Sequence, residues 1–272
     1  MGVVEKALDI KPRRMDFIFP SNLPRFWFNN DPFVTHLYNA LSTTFPEGEK
    51  FFVDAVRFYR DDITDPTLKK QISGFIGQEA FHSKEHIEFN AWLQSQGYNI
   101  DKYYAQVKRR TDLGRERGTP ILKLAVTCAL EHFTAIMADQ MLSNPEFKKG
   151  VHPDVLKLWM WHAIEETEHK GVAFDVFKAV GGNYRIRVVS MFFVTLNFIY
   201  QVMRIHIGFL QEDGKLFDVK MWMKGIWYFW GKPGWFRKLI PAWLEYFRPD
   251  FHPWQQDNQH FIEEWKRAQA NS

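Results

Sequence analysis

Two imidazoles and a carboxylate on one wall of a helix can grip a transition metal. The run from Trp159 to His169 offers such a wall: His162, Glu166 and His169 follow the pattern His-x-x-x-Glu-x-x-His inside a stretch of long apolar periodicity. At 3.6 residues per turn the three project from one face. One such motif is weak by itself, but the chain supplies partners. Glu79-Ala80-Phe81-His82 repeats the Glu-x-x-His spacing of Glu166 and His169, and Glu49 and Glu131 each sit on an otherwise apolar face. One Glu from each of two helices, with Glu-x-x-His from each of two more, is the donor set of ferritin-like dinuclear carboxylate centres.

The order along the chain is Glu, Glu-x-x-His, Glu, Glu-x-x-His. From Glu49 to Glu79 and from Glu131 to Glu166 the gaps are roughly 30 and 35 residues, each long enough for a helix out, a turn and a helix back to the same height. A lone helical Glu is ordinarily solvated, which does not account for four in register on apolar faces. Four ionised carboxylates are neutralised by two divalent cations. Buried without them, each would cost several kcal/mol, against a total stability of about 5–15 kcal/mol, and no Lys or Arg falls on these inner faces. The expected ligands are therefore Glu49, Glu79, His82, Glu131, Glu166 and His169, with His162 as a seventh. His86, one turn past His82, and Glu165, on the flank of Glu166, are expected as ligands or as their supports. His132 projects about 100° from Glu131 and reads as supporting or structural. Oxygen and imidazole donors without thiolate favour iron, with manganese or zinc as alternatives.

The elements that must position these residues are helical throughout, with no β-type alternation of useful length. Residues 1–30 read as an extended lead-in broken by Pro12, Pro20 and Pro24, with Arg13 and Arg14 solvated. Asp31-Pro32 opens a short helix to about Leu41, Pro46 and Gly48 break or kink the chain, and a helix from Glu49 ends near Asp62. Asp65-Pro66 starts the next helix, which runs to Gly97. Residues 98–118 form a polar connector, Thr119-Pro120 to Asn144-Pro145 bounds the third long helix, and His152-Pro153 leads a fourth to Gly181-Gly182. The expectation is an all-α, ferritin-like four-helix bundle in a single domain. A lead-in and short helix occupy 1–45, the metal-binding bundle 46–182, and an aromatic-rich C-terminal helical extension 183–272.

Composition narrows the function classes. The chain has 272 residues and a net charge of +3, and it lacks a Lys/Arg block or Gly-rich phosphate loop, which argues against nucleic acid and nucleotide partners. Its one cysteine, Cys128, excludes an internal disulfide and a Cys-type zinc site. With no apolar core near the N-terminus to mark a signal peptide, a cytoplasmic, reducing setting is expected. The 26 Phe and 11 Trp are unusual. Residues 188–203 are mostly apolar, but Asn197, Gln201, Arg204 and His206 fall within the ~20 residues that a membrane span starting there would need. They read as a helix packed on the bundle, or as an interfacial or substrate-facing one.

Several runs resemble a bacterial family catalogued as predicted metal-dependent hydrolases. They are Phe45 to Glu49, Gln78 to His82 with His86 and Asn90, Glu131 to Ala135, Trp161 to His169, and Phe247 to Trp254. The family's name implies hydrolysis, while the ligand pattern is that of diiron proteins. The placement of His162, Glu166 and His169 is also locally similar to the aminoarene N-oxygenases. The leading expectation is a diiron oxidoreductase that uses O₂ to oxidise a small hydrophobic substrate. The alternatives are a hydrolase using a water activated by the same two metals, and a non-catalytic metal-binding or storage protein. Peripheral membrane contact through the aromatic third and a homodimer complete the expectations.

Overall fold

A computed structural model describes residues 9–270, and every regular element among them is helical. The chain runs through α1 (Pro32–Phe58), α2 (Pro66–Ser95), α3 (Ile100–Arg117), α4 (Pro120–Ser143), α5 (Pro145–Gly150), α6 (Pro153–His169) and α7 (Val172–Ala179). It continues with α8 (Tyr184–Glu212), α9 (Val219–Trp230), α10 (Trp235–Glu245), a 3₁₀ turn (Pro253–Gln255) and α11 (Gln259–Ala270). The Asx/Thr-Pro starts behave as expected: Asp31, Asp65 and Thr119 each accept a bond from a first-turn backbone N–H, with Pro in the following position.

Three expectations are corrected. Pro46 does not break its helix; α1 is continuous over 27 residues with Pro46 inside, so the boundary expected at residue 45 falls within it. Proline lacks the N–H that would bond the carbonyl four residues earlier. That carbonyl, on Ser42, accepts instead from Asn90 Nδ2 at 3.1 Å, across from α2. Residues 98–118 are not a connector but the 18-residue helix α3, polar except for a narrow stripe of buried Ile100, Tyr103 and Val107. The fourth helix is two: α6 ends at His169 and α7 starts at Val172. The break leaves Gly171, where a side-chain carbon would run into the indole of Trp254.

Helices α1 and α2 pack as one pair and α4 and α6 as another, joined through α1–α4 and α2–α6 contacts. Apolar residues gather in two clusters. One, with Phe51, Phe75, Leu124 and Phe177, fills one end of the four helices. The other runs from Leu23 to Phe251, so the C-terminal helices share a core with the bundle helices. The Glu- and His-bearing turns lie between them. Two helices, Pro120–Ser143 and Tyr184–Glu212, are long and apolar enough to cross a membrane by length and composition, with 72% and 33% of their apolar windows buried.

Candidate metal centre

Helix register brings the expected donors together. Glu49, Glu79, His82, Glu131, His162, Glu166 and His169 are all at most 3% exposed. His169 Nε2 lies 3.1 Å from Glu79, 3.5 Å from Glu131 and 3.6 Å from Glu166. His82 Nδ1 lies 3.5 Å from Glu166 Oε1 and 4.0 Å from Glu79 Oε2. His162 Nε2 is 3.0 Å from Glu166 Oε1 and 4.0 Å from Glu49 Oε1. Glu166 thus stands between all three inward-facing imidazoles, as a carboxylate shared by two cations would. Two overlapping groups, Glu49/Glu79/His82 and Glu79/Glu166/His169, hold their donor atoms within 4.8 Å of one another.

These atoms are buried and lack hydrogen-bond partners: both oxygens of Glu79 and of Glu131, Glu49 Oε1, Glu166 Oε2, His82 Nδ1 and His169 Nε2. Buried polar atoms are nearly always satisfied. A set of convergent unsatisfied donors, rich in oxygen and imidazole, is what a pair of cations requires, so the residues fit the metal. Charge points the same way. Burial, reinforced by the neighbouring carboxylates, raises Glu49 and Glu131 well above the ordinary carboxylate range, and burial raises Glu79. Burial alone would lower both histidines, but Glu165, Glu166 and Glu79 push His82 up to about 10, and Glu166, with Glu79 and Glu131, raises His169. Protons then hold the positions that cations would neutralise.

Each inward-facing imidazole has a different support on its other nitrogen. His82 Nε2 lies 3.1 Å from Glu165 Oε2, an ion-pair contact without hydrogen-bond geometry. His169 Nδ1 donates to Gln78 Oε1 at 2.9 Å, and Gln78 Nε2 donates to Glu168 Oε2 at 2.9 Å. His162 Nδ1 meets His86 Nε2 at 2.7 Å. The last contact belongs to a chain whose proton positions follow from its far end. Asn90 Nδ2 donates to the Ser42 carbonyl, so Asn90 Oδ1 accepts the Ser42 hydroxyl at 2.9 Å. Ser42 Oγ then accepts from His86 Nδ1 at 2.8 Å, leaving His86 Nε2 to accept from His162 Nδ1. His162 Nε2 faces the centre, 3.0 Å from Glu166 Oε1. Burial, together with the charge on nearby imidazoles, holds His86 well below the usual histidine range and His162 at about 4, so both are neutral.

Among the open assignments, Glu165 is a support: its Oε1 accepts from Trp161 Nε1 at 3.0 Å and from Arg13 at 2.9 Å. A donor atom of His86 lies within 4.8 Å of those of Glu49 and His162, and both its nitrogens are engaged, by Ser42 and by His162. His132 lies outside the centre. Its Nε2 donates to the carbonyl of Ala242 at 3.0 Å, and its ring packs against Tyr246 and Phe251. Arg13, expected in solvent, is a correction. It forms a fork to Glu168 at 2.6 and 2.7 Å, while Arg14 stays exposed on Asp16. Ser42 and Ser83 carried no sequence signal, since their partners lie far along the chain; Gln78 and Glu168 fell within the family-like runs but were given no role. Asn90, four residues after His86 on the same face, had such a signal. Ser83 donates to Glu49 Oε2 at 2.8 Å.

The model of one protein family, described as predicted metal-dependent hydrolase, matches residues 11–257. The chain belongs to that family. No curated protein and no solved structure matches it. The family match spans the lead-in from Lys11, all the donor-bearing helices and the segment up to Asp257. Membership in the predicted metal-dependent hydrolases agrees with the buried donor cluster in requiring metal.

Proposed function

We propose that the protein is a metal-dependent enzyme with a dinuclear centre on Glu49, Glu79, His82, Glu131, His162, Glu166 and His169, and that it hydrolyses a bond in an apolar substrate. The observation that carries the metal centre is the convergence of unpartnered buried carboxylate and imidazole atoms; hydrolysis rests on the family. Two divalent cations there would polarise the scissile group and lower the pKa of a water. The chain's own part is to hold the donors. Glu166 is shared between the two halves, Glu165 and Gln78 fix His82 and His169, and the Ser42–His86 pair fixes the tautomer of His162.

A second reading, oxidation of the same substrate with O₂, is favoured by the donor chemistry. Four carboxylates with three imidazoles and no thiolate suit iron, and the ferritin-like order of donors is that of diiron proteins. Both readings take an apolar substrate from a cavity of 380 Å³ lined by α1, α4 and α8–α10, including Leu41, Met137, Val202 and Trp235. Leu41, Phe45 and Glu49 lie at successive four-residue steps on α1, and the Phe45 ring packs on His86 and His162. Phe45 therefore stands between cavity and centre.

Metal analysis of the purified protein, with ester and amide panels bearing apolar groups and oxygen uptake by the anaerobically iron-loaded form, decides between them. Turnover of a panel member without oxygen uptake supports hydrolysis. Oxygen uptake with a new visible absorption band and no hydrolysis transfers the assignment to the oxidative reading. Protein that takes up no metal defeats both.

A further inference from the structure

The outer side of α8 is apolar where a surface helix is ordinarily polar: Val189, Phe192, Phe193, Leu196 and Ile199 are each more than half exposed. Helix α9 adds Met223 at 68% and Trp227 at 64%. Ile199, Trp230 and Ile240 are exposed and also line the 380 Å³ cavity, so α8, α9 and α10 meet around its mouth within this apolar face. Trp243 Nε1, donating to Thr195 at 3.0 Å, ties α10 to α8 beside it.

Charge selects the occupant. Residues 184–245, from α8 to the end of α10, contain nine Lys and Arg against four Asp and Glu. The acids are engaged within the chain: Glu212 accepts from Tyr103, Asp213 binds Arg25 and His36, Asp218 caps α9, and Glu245 accepts from Gln256. Lys220, Lys232, Arg237 and Lys238 are exposed and have no ion pair among the described residues. A second copy seated on this face through a two-fold axis would bring basic rim against basic rim. Anionic headgroups over an acyl layer complement both the rim and the apolar centre.

We propose that this face docks on an anionic membrane surface, with the α8 and α9 side chains among the acyl chains, the four basic residues at the headgroups and the cavity mouth open to the bilayer. Docking uses no residue of the metal centre, so it stands or falls separately from the function proposed above. The test is co-sedimentation of the full chain with phosphatidylcholine vesicles, with and without phosphatidylglycerol. Binding should be several-fold greater on the anionic vesicles and fall with added salt. It should drop by tenfold or more in the Lys232→Glu/Arg237→Glu/Lys238→Glu variant and in the Phe193→Ser/Met223→Ser variant, both with unchanged metal content and melting temperature. Equal weak binding to both vesicle types would overturn the proposal. So would a dimer in light scattering that the Phe193→Ser/Met223→Ser variant converts to monomer while vesicle binding is absent.

Discussion

His162 differs from the other inward-facing histidines in what stands behind it. A carboxylate behind an imidazole raises its basicity toward a metal, whereas a neutral imidazole only orients it. His86→Leu should therefore leave both metals bindable at saturation but weaken the more loosely held one by about 10–100-fold, read by competitive chelator titration; unchanged affinity would remove His86 from its positioning role. Glu131 accepts no hydrogen bond, and its nearest basic partner is His169 Nε2 at 3.5 Å. Glu131→Gln should reduce bound metal from two ions to at most one by elemental analysis while changing the melting temperature of the metal-free protein little at neutral pH, because burial and the neighbouring carboxylates already favour the protonated, uncharged acid there; two ions retained would remove Glu131 from the donor set. The pH dependence follows from the same donors. In the metal-free fold Glu49, Glu79 and Glu131 are raised, as are His169 and His82 (to about 10). Groups with raised pKa stabilise the fold while protonated and lose that contribution as pH climbs, so metal-free stability falls with rising pH. His86, His162 and Glu166 are lowered, Glu166 against its burial by the three surrounding imidazoles, and act oppositely, but only below the ordinary histidine value of about 6.5 and the ordinary glutamate value of about 4.3. Metal replaces the protons, so the gain in melting temperature on loading should grow in calorimetry from about pH 6.5, the ordinary histidine value, toward about 10, where His82 gives up its proton; a gain that shrinks over that range contradicts the donor set. The convergence of Glu49, Glu79, His82, Glu131, His162, Glu166 and His169 could be read from helical spacing alone, because the motif and the helix share one period. Their supports could not: Gln78 reaches His169, and Arg13 reaches Glu165 and Glu168, from sequence-distant segments.

At the scale of elements, α1 shows how one helix serves two ends. A proline inside a helix costs about 3 kcal/mol or more when its effects are uncompensated. Here the freed Ser42 carbonyl is taken by Asn90, whose amide oxygen also anchors the Ser42 hydroxyl and, through it, His86. Compensation for the proline and orientation of His162 therefore share one side chain. Asn90→Leu should cost about 1–3 kcal/mol by leaving the carbonyl unpaired. In a Pro46→Ala background, where an N–H returns to that carbonyl, the same change should cost measurably less in denaturant unfolding. Equal costs would mean that the Asn90–carbonyl bond does not compensate the proline. The sequence reading placed a break at Pro46 because the compensating amide comes from another helix, which local rules do not see. It took α3 for a connector for a related reason. Three buried residues in 18 make too narrow a stripe to announce a helix, and the remainder is held by polar contacts such as Arg115 to Glu47 at 3.1 Å. The caps at Asp31, Asp65 and Thr119 are local chemistry, and those starts were read correctly.

Over the whole molecule, the C-terminal helices have a task that bundle packing alone does not require. They share a core with α1 and α4, yet leave between themselves and those helices a cavity of 380 Å³, within the ~300–1,000 Å³ range of small-molecule sites. Open to the surface at Ile199, Trp230 and Ile240, it presents a contiguous apolar lining of the kind that marks a binding site. Its inner wall includes Leu41, one helical turn before Phe45, which covers His86 and His162. Filling it from that wall should separate the cavity's role from that of the metals. Leu41→Trp adds bulk directed into the space at a packing cost of about 1–3 kcal/mol. It should leave metal content unchanged, because no donor contacts the new ring, and should weaken binding of an environment-sensitive fatty-acid probe by at least tenfold. If the probe binds the variant as well as the parent chain, the cavity is not the route by which apolar molecules approach the centre. If metal is lost together with probe binding, cavity and centre are one packing unit, and Phe45 serves as a wall between them and not as a gate.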